Sequence, residues 1–202
     1  SSPHARSEMG KANVQRKYTV YFKYILGKGI ILIPMSRKQY ALGKERWQVG
    51  ETACFRHELK YQIGYHQYLE LRSRLRAVLK TDSHAGGDGR YLIRSIYFDN
   101  YRDKALREKI DGVSRREKFR IRYYNDDFSY ITLEKKVKDN SLCMKFDADI
   151  TKEECRRLLD GDRGWMRDHP SPLVQELYGK MRFQLLRPKV LVSYVREPYI
   201  YR

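Results

Sequence analysis

Three short segments of the chain place charged residues at every second position: Arg120 and Arg122, Glu134 and Lys136, Lys145 and Asp147. A spacing of two marks a β-strand, because successive side chains point to opposite faces. The charges of each segment therefore share one face, and Ile121, Tyr123, Leu133 and Val137 share the other. A mainly basic face within a sheet calls for a polyanion. The spacing by itself leaves open whether that anion is a nucleic acid, a nucleotide or a bare phosphate chain.

Composition narrows the setting. The chain has 202 residues, of which 41% are hydrophobic, enough for one core, and a net charge of +17 that favours anionic partners. Cys54, Cys143 and Cys155 are odd in number and far apart, which speaks against a disulfide framework or a zinc site and for a reducing, cytoplasmic setting. No stretch of about 18 apolar residues occurs, so no transmembrane helix is predicted.

Residues 1–50 read as a basic appendage, either partly disordered or a hairpin turning at Gly27-Lys28-Gly29. Residues 51–202 read as the main domain. It opens with a strand over 55–63, in which Arg56, Glu58 and Lys60 share a face, followed by a helix from 65 to 79 with Arg72, Arg74 and Arg76 on its wetter side. Strands are predicted near 91–98, 116–124, 129–138, 141–149 and 189–196, with a short helix over 101–109. Thr151 and Glu154 have the spacing of a capping box, and Leu173, Leu177, Met181 and Leu185 form a stripe on a helix from 172 to 186. Pro198 to Tyr201 reads as a further strand. The fold class is α+β, an antiparallel sheet with flanking helices.

On an open sheet the charged face would be solvated, whereas in a closed barrel it would line a shared lumen. Two unit charges about 4 Å apart interact by roughly 4 kcal/mol at an effective dielectric of about 20, so such a lumen needs bound anions, with Glu58 and Glu134 as partial offsets. Arg-x-Arg suits consecutive phosphates, because a planar guanidinium grips two oxygens at once. Tyr61, Tyr97 and Tyr123 are assigned to the face away from the lumen, packing under helices, which weakens a base-stacking role. His57 falls on an apolar strand face and reads as a core histidine.

Ordered through the chain, Arg56-His57-Glu58-Leu59-Lys60-Tyr61, Ile93-Arg94-Ser95-Ile96-Tyr97-Phe98-Asp99, Lys109-Ile110-Asp111-Gly112, Arg116 through Tyr124, Leu133-Glu134-Lys135-Lys136 and Val192-Ser193-Tyr194-Val195-Arg196 resemble the VTC domain. This is the polyphosphate polymerase module of the vacuolar transporter chaperone family, within the triphosphate tunnel metalloenzymes. The resemblance implies an antiparallel barrel around a basic tunnel. It also implies transfer of the ATP γ-phosphate to inorganic polyphosphate, with release of ADP and a requirement for Mn²⁺ or Mg²⁺. Carried onto matching positions, Lys60, Arg94, Arg120, Arg122, Lys136, Lys145 and Arg196 would bind phosphate; all but Arg94 would also serve catalysis, and Glu58 and Glu134 would support them.

Two departures follow from the same comparison. Arg56 stands where the wider superfamily has the first Glu of its E-x-E-x-K signature, which argues against a hydrolytic metal site there. The family's domain continues beyond the strand of Arg196 with strands that carry the metal-binding Glu, whereas this chain stops at Arg202, so an incomplete barrel is expected and no metal ligand is identified. Three other readings stay open: a non-catalytic polyphosphate or nucleotide binder, a triphosphate hydrolase, and a nucleic-acid-binding protein. No specific nucleic acid is expected, and the sequence is silent on oligomeric state.

Overall fold

The alternating segments become neighbouring strands of one antiparallel sheet. The computed structural model describes residues 18–25, 28–38, 55–83, 85–140 and 142–201. In chain order its elements are β1 (Tyr18–Ile25), β2 (Lys28–Lys38), β3 (Phe55–Ile63), α1 (Tyr65–Val78), β4 (Lys80–Thr81), β5 (Tyr91–Asp99), α2 (Lys104–Ile110), β6 (Arg115–Tyr124), β7 (Asp127–Asp139), β8 (Leu142–Ile150), α3 (Lys152–Leu159), a 3-10 turn (Gly164–Met166), α4 (Pro172–Phe183) and β9 (Arg187–Tyr201). The strand order is β1-β2-β3-β8-β7-β6-β5-β9-β4, and β1 also pairs with β9, from Tyr18↔Tyr201 to Tyr24↔Val195. The sheet thus curls round on itself. Its wall is incomplete at one seam, where β3 meets β8 through the single pair Arg56↔Cys143.

Residues 18–25 and 28–38 form a hairpin that pairs β9 on one side and β3 on the other. The rest of 1–50 lies outside the described residues. Pro198 to Tyr201 does not form a strand of its own but completes β9. Among the described residues no helix is long and apolar enough to cross a membrane.

Local chemistry sets the turns. Asn125 and Asp126 both take left-handed backbone angles between β6 and β7, as the tight twist of a two-residue hairpin requires, and Asn125 Oδ1 accepts from the Leu92 amide at 2.8 Å to tie that turn to β5. Thr151 and Glu154 form the predicted capping box: the Glu154 amide donates to Thr151 Oγ1 at 3.1 Å and the Thr151 amide to Glu154 Oε2 at 2.7 Å. Helix α2 starts later than its predicted residue 101, at Lys104, because the buried Asp99 carboxylate accepts from the amides of Ala105 and Leu106.

The core lies outside the curl. Phe119, Ile121, Tyr123, Ile131 and Leu133 point away from the charged face and pack against Leu158, Met166, Leu173, Val174, Leu177 and Met181. Helix α4 stops at Phe183 rather than at 186, since Leu185 adopts a left-handed backbone; that stripe residue is exposed. Within this apolar layer Lys135 is 1% exposed. Its ammonium pairs with Glu117 at 3.2 Å and with Glu176 on α4, while Lys180 also reaches Glu117. These ion pairs pin α4 to the back of β6 and β7, where a buried charge is tolerated only with such partners.

Helix α1 is held by a second buried group, the Glu197 carboxylate of β9. It accepts from Arg72 Nε at 2.7 Å, Arg76 Nη2 at 3.2 Å, Tyr68 Oη at 2.7 Å and Tyr199 Oη at 2.7 Å. Arg72 and Arg76 therefore turn their guanidinium groups toward the sheet, although Arg76 stays 43% exposed, because a buried carboxylate draws them inward. Burial alone would push the Glu197 pKa up, but the hydrogen bonds from Arg72, Tyr199 and Tyr68 outweigh it and hold it below the ordinary 4.5. A carboxylate whose pKa is depressed by folding stabilises the protein fully above its unfolded value and loses that contribution as pH falls. Stability in urea is therefore expected to fall as pH drops below about 4.5, and Glu197→Gln is expected to lower stability at pH 7 by about 3 kcal/mol and to flatten the acid-side slope. Urea titrations of both proteins across pH measure this, and an unchanged slope would contradict it.

Candidate functional site

Strand register stacks the charged positions into cross-strand rows. Lys118 of β6 faces Lys136 of β7, which faces Lys145 of β8. One step along, Arg120 faces Glu134, which faces Asp147; one further, Arg122 faces Thr132, which faces Asp149. On the other flank Tyr97 and Ser95 of β5 face Arg120 and Arg122. All these residues share the inner face of the curl. Like charges directly opposite one another destabilise a sheet, so the lysine row is the costly one.

Glu134, 3% exposed, is the hub of the middle row. Arg120 Nε donates to its Oε2 at 2.6 Å with Nη2 at 2.5 Å from the same oxygen, and Arg122 Nη1 and Lys145 Nζ lie 3.2 Å from Oε1. Burial would raise the Glu134 pKa, but the charges of Arg120, Arg122 and Lys145 hold it below the usual carboxylate range. Burial works against the Arg120 cation too, and Glu134 and Tyr97 together outweigh it, so its pKa is raised and the charge is permanent. Arg120 Nη1 also donates to the Tyr97 hydroxyl at 2.8 Å. Arg122 makes longer contacts, at 3.4 Å each, to Ser95 Oγ and the Tyr194 hydroxyl.

Arg120, Arg122, Lys136 and Lys145 are thus gathered on one surface with Glu134 between them. Lys60 lies on β3 opposite Leu32, and its charge acts on Lys118. Glu58 pairs with Pro34 in the register of β3, and its side chain lies outside the described residues. Arg196 lies on the same face at the far end of the cluster: its Nη2 donates at 3.4 Å to the Tyr194 hydroxyl that Arg122 also contacts, and its guanidinium lies over the rings of Tyr91 and Tyr194. Arg94 does not join them. It faces Tyr123 and Ser193 on the opposite side of the sheet and pairs with Asp126 at 2.6 Å, because it is one position out of step with Ser95 and Tyr97.

Tyr97 corrects its sequence assignment, since pairing with Arg120 places it on the inner face. Lys118 is the site residue that sequence reading missed. Burial lowers its pKa first, followed by the charges of Lys109, Arg116 and Lys60, with Asp99 opposing. The signal was present, as the Arg120/Arg122 alternation extends back through Lys118 to Arg116.

Among the described residues no group of three His, Cys, Asp or Glu side chains stands ready for a metal ion. Both Glu134 oxygens are already engaged by cations. The described side chains therefore do not fit a protein-held Mn²⁺ or Mg²⁺, although such ions are commonly carried on substrate phosphates with few protein ligands.

A curled antiparallel sheet, an incomplete barrel, carries on its inner face a lysine row beside an arginine pair, a surface whose charge suits a polyanion. The sequence matches the VTC domain family over residues 55–202, and the chain belongs to that family. Membership ties it to polyphosphate-related function. No curated protein matches the chain.

Removing the hub charge would leave Arg120 and Arg122 without their carboxylate and Lys145 with Asp147 alone, at 3.6 Å. Glu134→Gln is expected to lower stability by about 3–5 kcal/mol, and tripolyphosphate is expected to raise the melting temperature of the variant more than that of the parent protein. Thermal unfolding with and without the anion measures this; an equal response in both proteins would show that Glu134 does not offset the cluster.

Proposed function

We propose that this chain is a VTC-type polyphosphate polymerase that transfers the γ-phosphoryl group of ATP to the end of a polyphosphate chain. The observation that carries this reading is the row Lys118–Lys136–Lys145, a run of like charges beside the Arg120–Arg122 pair, with Lys145 paired to Glu134 and Asp147. Such a row of like charges favours anions laid along it, and phosphate oxygens supply them. Family membership supports the same ligand class.

In the reaction, a terminal oxygen of the acceptor chain forms a bond to the γ-phosphorus. The bond from that phosphorus to the bridging oxygen breaks, and ADP leaves with the bonding electron pair. This chemistry needs alignment and charge stabilisation more than covalent participation. Arg120 and Arg122, immobilised by Glu134, Tyr97 and Ser95, would grip phosphate oxygens as rigid forks, with Lys60, Lys118, Lys136 and Lys145 as adjustable point charges. Arg196 would act next to them through the Tyr194 hydroxyl. Mn²⁺ or Mg²⁺, when bound with ATP, would neutralise phosphate charge, and in this reading the phosphates hold it. The reducing, ATP-supplied cytoplasm is the setting this reading takes.

A second reading, a polyphosphate-binding module without turnover, is favoured by one feature: Glu134 is saturated by Arg120, Arg122 and Lys145 and offers no free carboxylate for chemistry. Incubation with ATP and Mn²⁺ or Mg²⁺, followed by assays for ADP and polyphosphate, separates the two. Formation of both products is expected, with Arg122→Ala or Lys136→Ala lowering the rate at least tenfold. Polyphosphate binding without either product would establish the module instead. Lys118→Ala is expected to weaken tripolyphosphate binding about tenfold and Arg94→Ala to leave it within about twofold, as calorimetric titration would measure. Equal effects would remove Lys118 from the site.

A further inference from the structure

The lysine row is not the last basic row of the inner face. Two positions nearer the start of β6, Arg116 faces Lys138 of β7 with the same strand parity as Lys118 and Lys136, so all four share that face. Helix α2, which packs against β6, brings Lys109 to the same end. The turn between them is closed by the Val113 amide donating to the Glu108 carbonyl, and Arg116 Nη1 donates to the Val113 carbonyl. Burial lowers the Lys118 pKa first and the charges of Lys109 and Arg116 next, which puts both within electrostatic reach of it. Among the described residues none of Lys109, Arg116, Lys118 and Lys138 has a carboxylate partner. Nearby acids are committed elsewhere: Asp99 to the amides of Ala105 and Leu106, Glu108 to Lys104 at 3.6 Å, and Glu117 to Lys135 and Lys180 behind the sheet. The inner cluster differs, since Glu134 holds Arg120, Arg122 and Lys145.

We infer that Lys109, Arg116 and Lys138 form a collar at the α2 end of the basic face, which holds the stretch of polyphosphate beyond the Arg120–Arg122 cluster and makes the protein favour long chains over short ones. This rests on the polyphosphate reading above and deepens it. From the Arg116–Lys138 row to the Arg122–Thr132 row is six residues of strand, about 20 Å, a run that three linked phosphates do not span. A short phosphate seated on Arg120, Arg122 and the lysine row therefore leaves the collar empty, whereas a long chain fills both, with Lys118 joining the two. Cations without a fixed carboxylate give up no ion pair when they take a phosphate, and each one neutralised releases counterions. Linear polyphosphate is favoured over a nucleic acid because the collar continues, on the same strands and in the same register, the rows that take phosphate in that reading.

Calorimetric titration of the intact chain with tripolyphosphate, long linear polyphosphate and single-stranded RNA, at physiological salt, tests this. The variant Lys109→Ala/Arg116→Ala/Lys138→Ala is expected to bind long polyphosphate about tenfold more weakly, with a shallower salt dependence, and tripolyphosphate within about twofold of the parent. A second variant, Lys109→Ala/Lys138→Ala, keeps the Arg116 bond to Val113 and is expected to show the same ranking with a smaller loss. Lys152→Ala/Arg163→Ala/Arg167→Ala removes as much charge from the exposed positions around α3 and the 3-10 turn and is expected to leave both affinities unchanged. Equal losses for short and long phosphates in the collar variants, or the same loss of long-chain affinity in the α3 variant, would overturn the collar while leaving the polyphosphate reading intact. RNA affinity that falls as far as that for long polyphosphate would make the collar a nucleic-acid surface and overturn it as a polyphosphate device. A parent protein that binds neither tripolyphosphate nor polyphosphate would overturn both readings.

Discussion

The buried carboxylate of Glu134 is the interaction on which the basic interior depends. Four side chains of like charge, Lys136, Lys145, Arg120 and Arg122, converge on neighbouring strands, and a cluster of this kind repels itself at low dielectric. Glu134 sits opposite Arg120 in the register and reaches Arg122 and Lys145 as well, so one negative charge fixes three positive ones. It does so without cancelling them. The surplus of positive charge remains for a ligand, and the arginines are already oriented when the ligand arrives. Preorganisation of this sort matters more for a phosphate site than the number of cations, since a flexible cation must be ordered at the moment of binding.

The same strands solve a second problem on their outer face. A sheet that collects charge inside must bury enough apolar surface outside to remain folded, and Phe119, Ile121, Tyr123, Ile131 and Leu133 do this beneath α3 and α4. Both helical contacts are then anchored by ion pairs. Lys135 with Glu117 and Glu176 fixes α4, and Glu197 with Arg72 and Arg76 fixes α1. Burial of such groups contributes little net stability, but it penalises any other register of helix on sheet, because each would leave a charge stranded.

Much of the architecture was legible because it is written in short periods. The alternation at Arg120/Arg122, Glu134/Lys136 and Lys145/Asp147 predicted strands with a charged and an apolar face, and the capping box at Thr151 marked the start of α3; the strands and cap are present. The site was legible only in part. Arg94 looked equivalent to its neighbours by sequence, yet strand parity sends it to the opposite face. Tyr97 erred in the reverse direction, and Lys118 was passed over although it continues the same alternation. Arg72 and Arg76 were placed on a wet helical face because nothing near them in sequence announces Glu197, more than a hundred residues away.

Local periodicity, then, determined which residues form strands and helices, which positions share a face, and the polyanion class that face suits, because these follow from backbone geometry alone. Only the tertiary structure decided which faces meet. The partnership of Lys118 with Lys136 and Lys145, the Glu134 hub, the burial of Lys135 and the packing of Ile93, Tyr91 and Tyr194 all depend on strand order and register across long sequence separations. Those are properties of the curled sheet as a whole, set by which arrangement leaves the fewest buried charges without a partner.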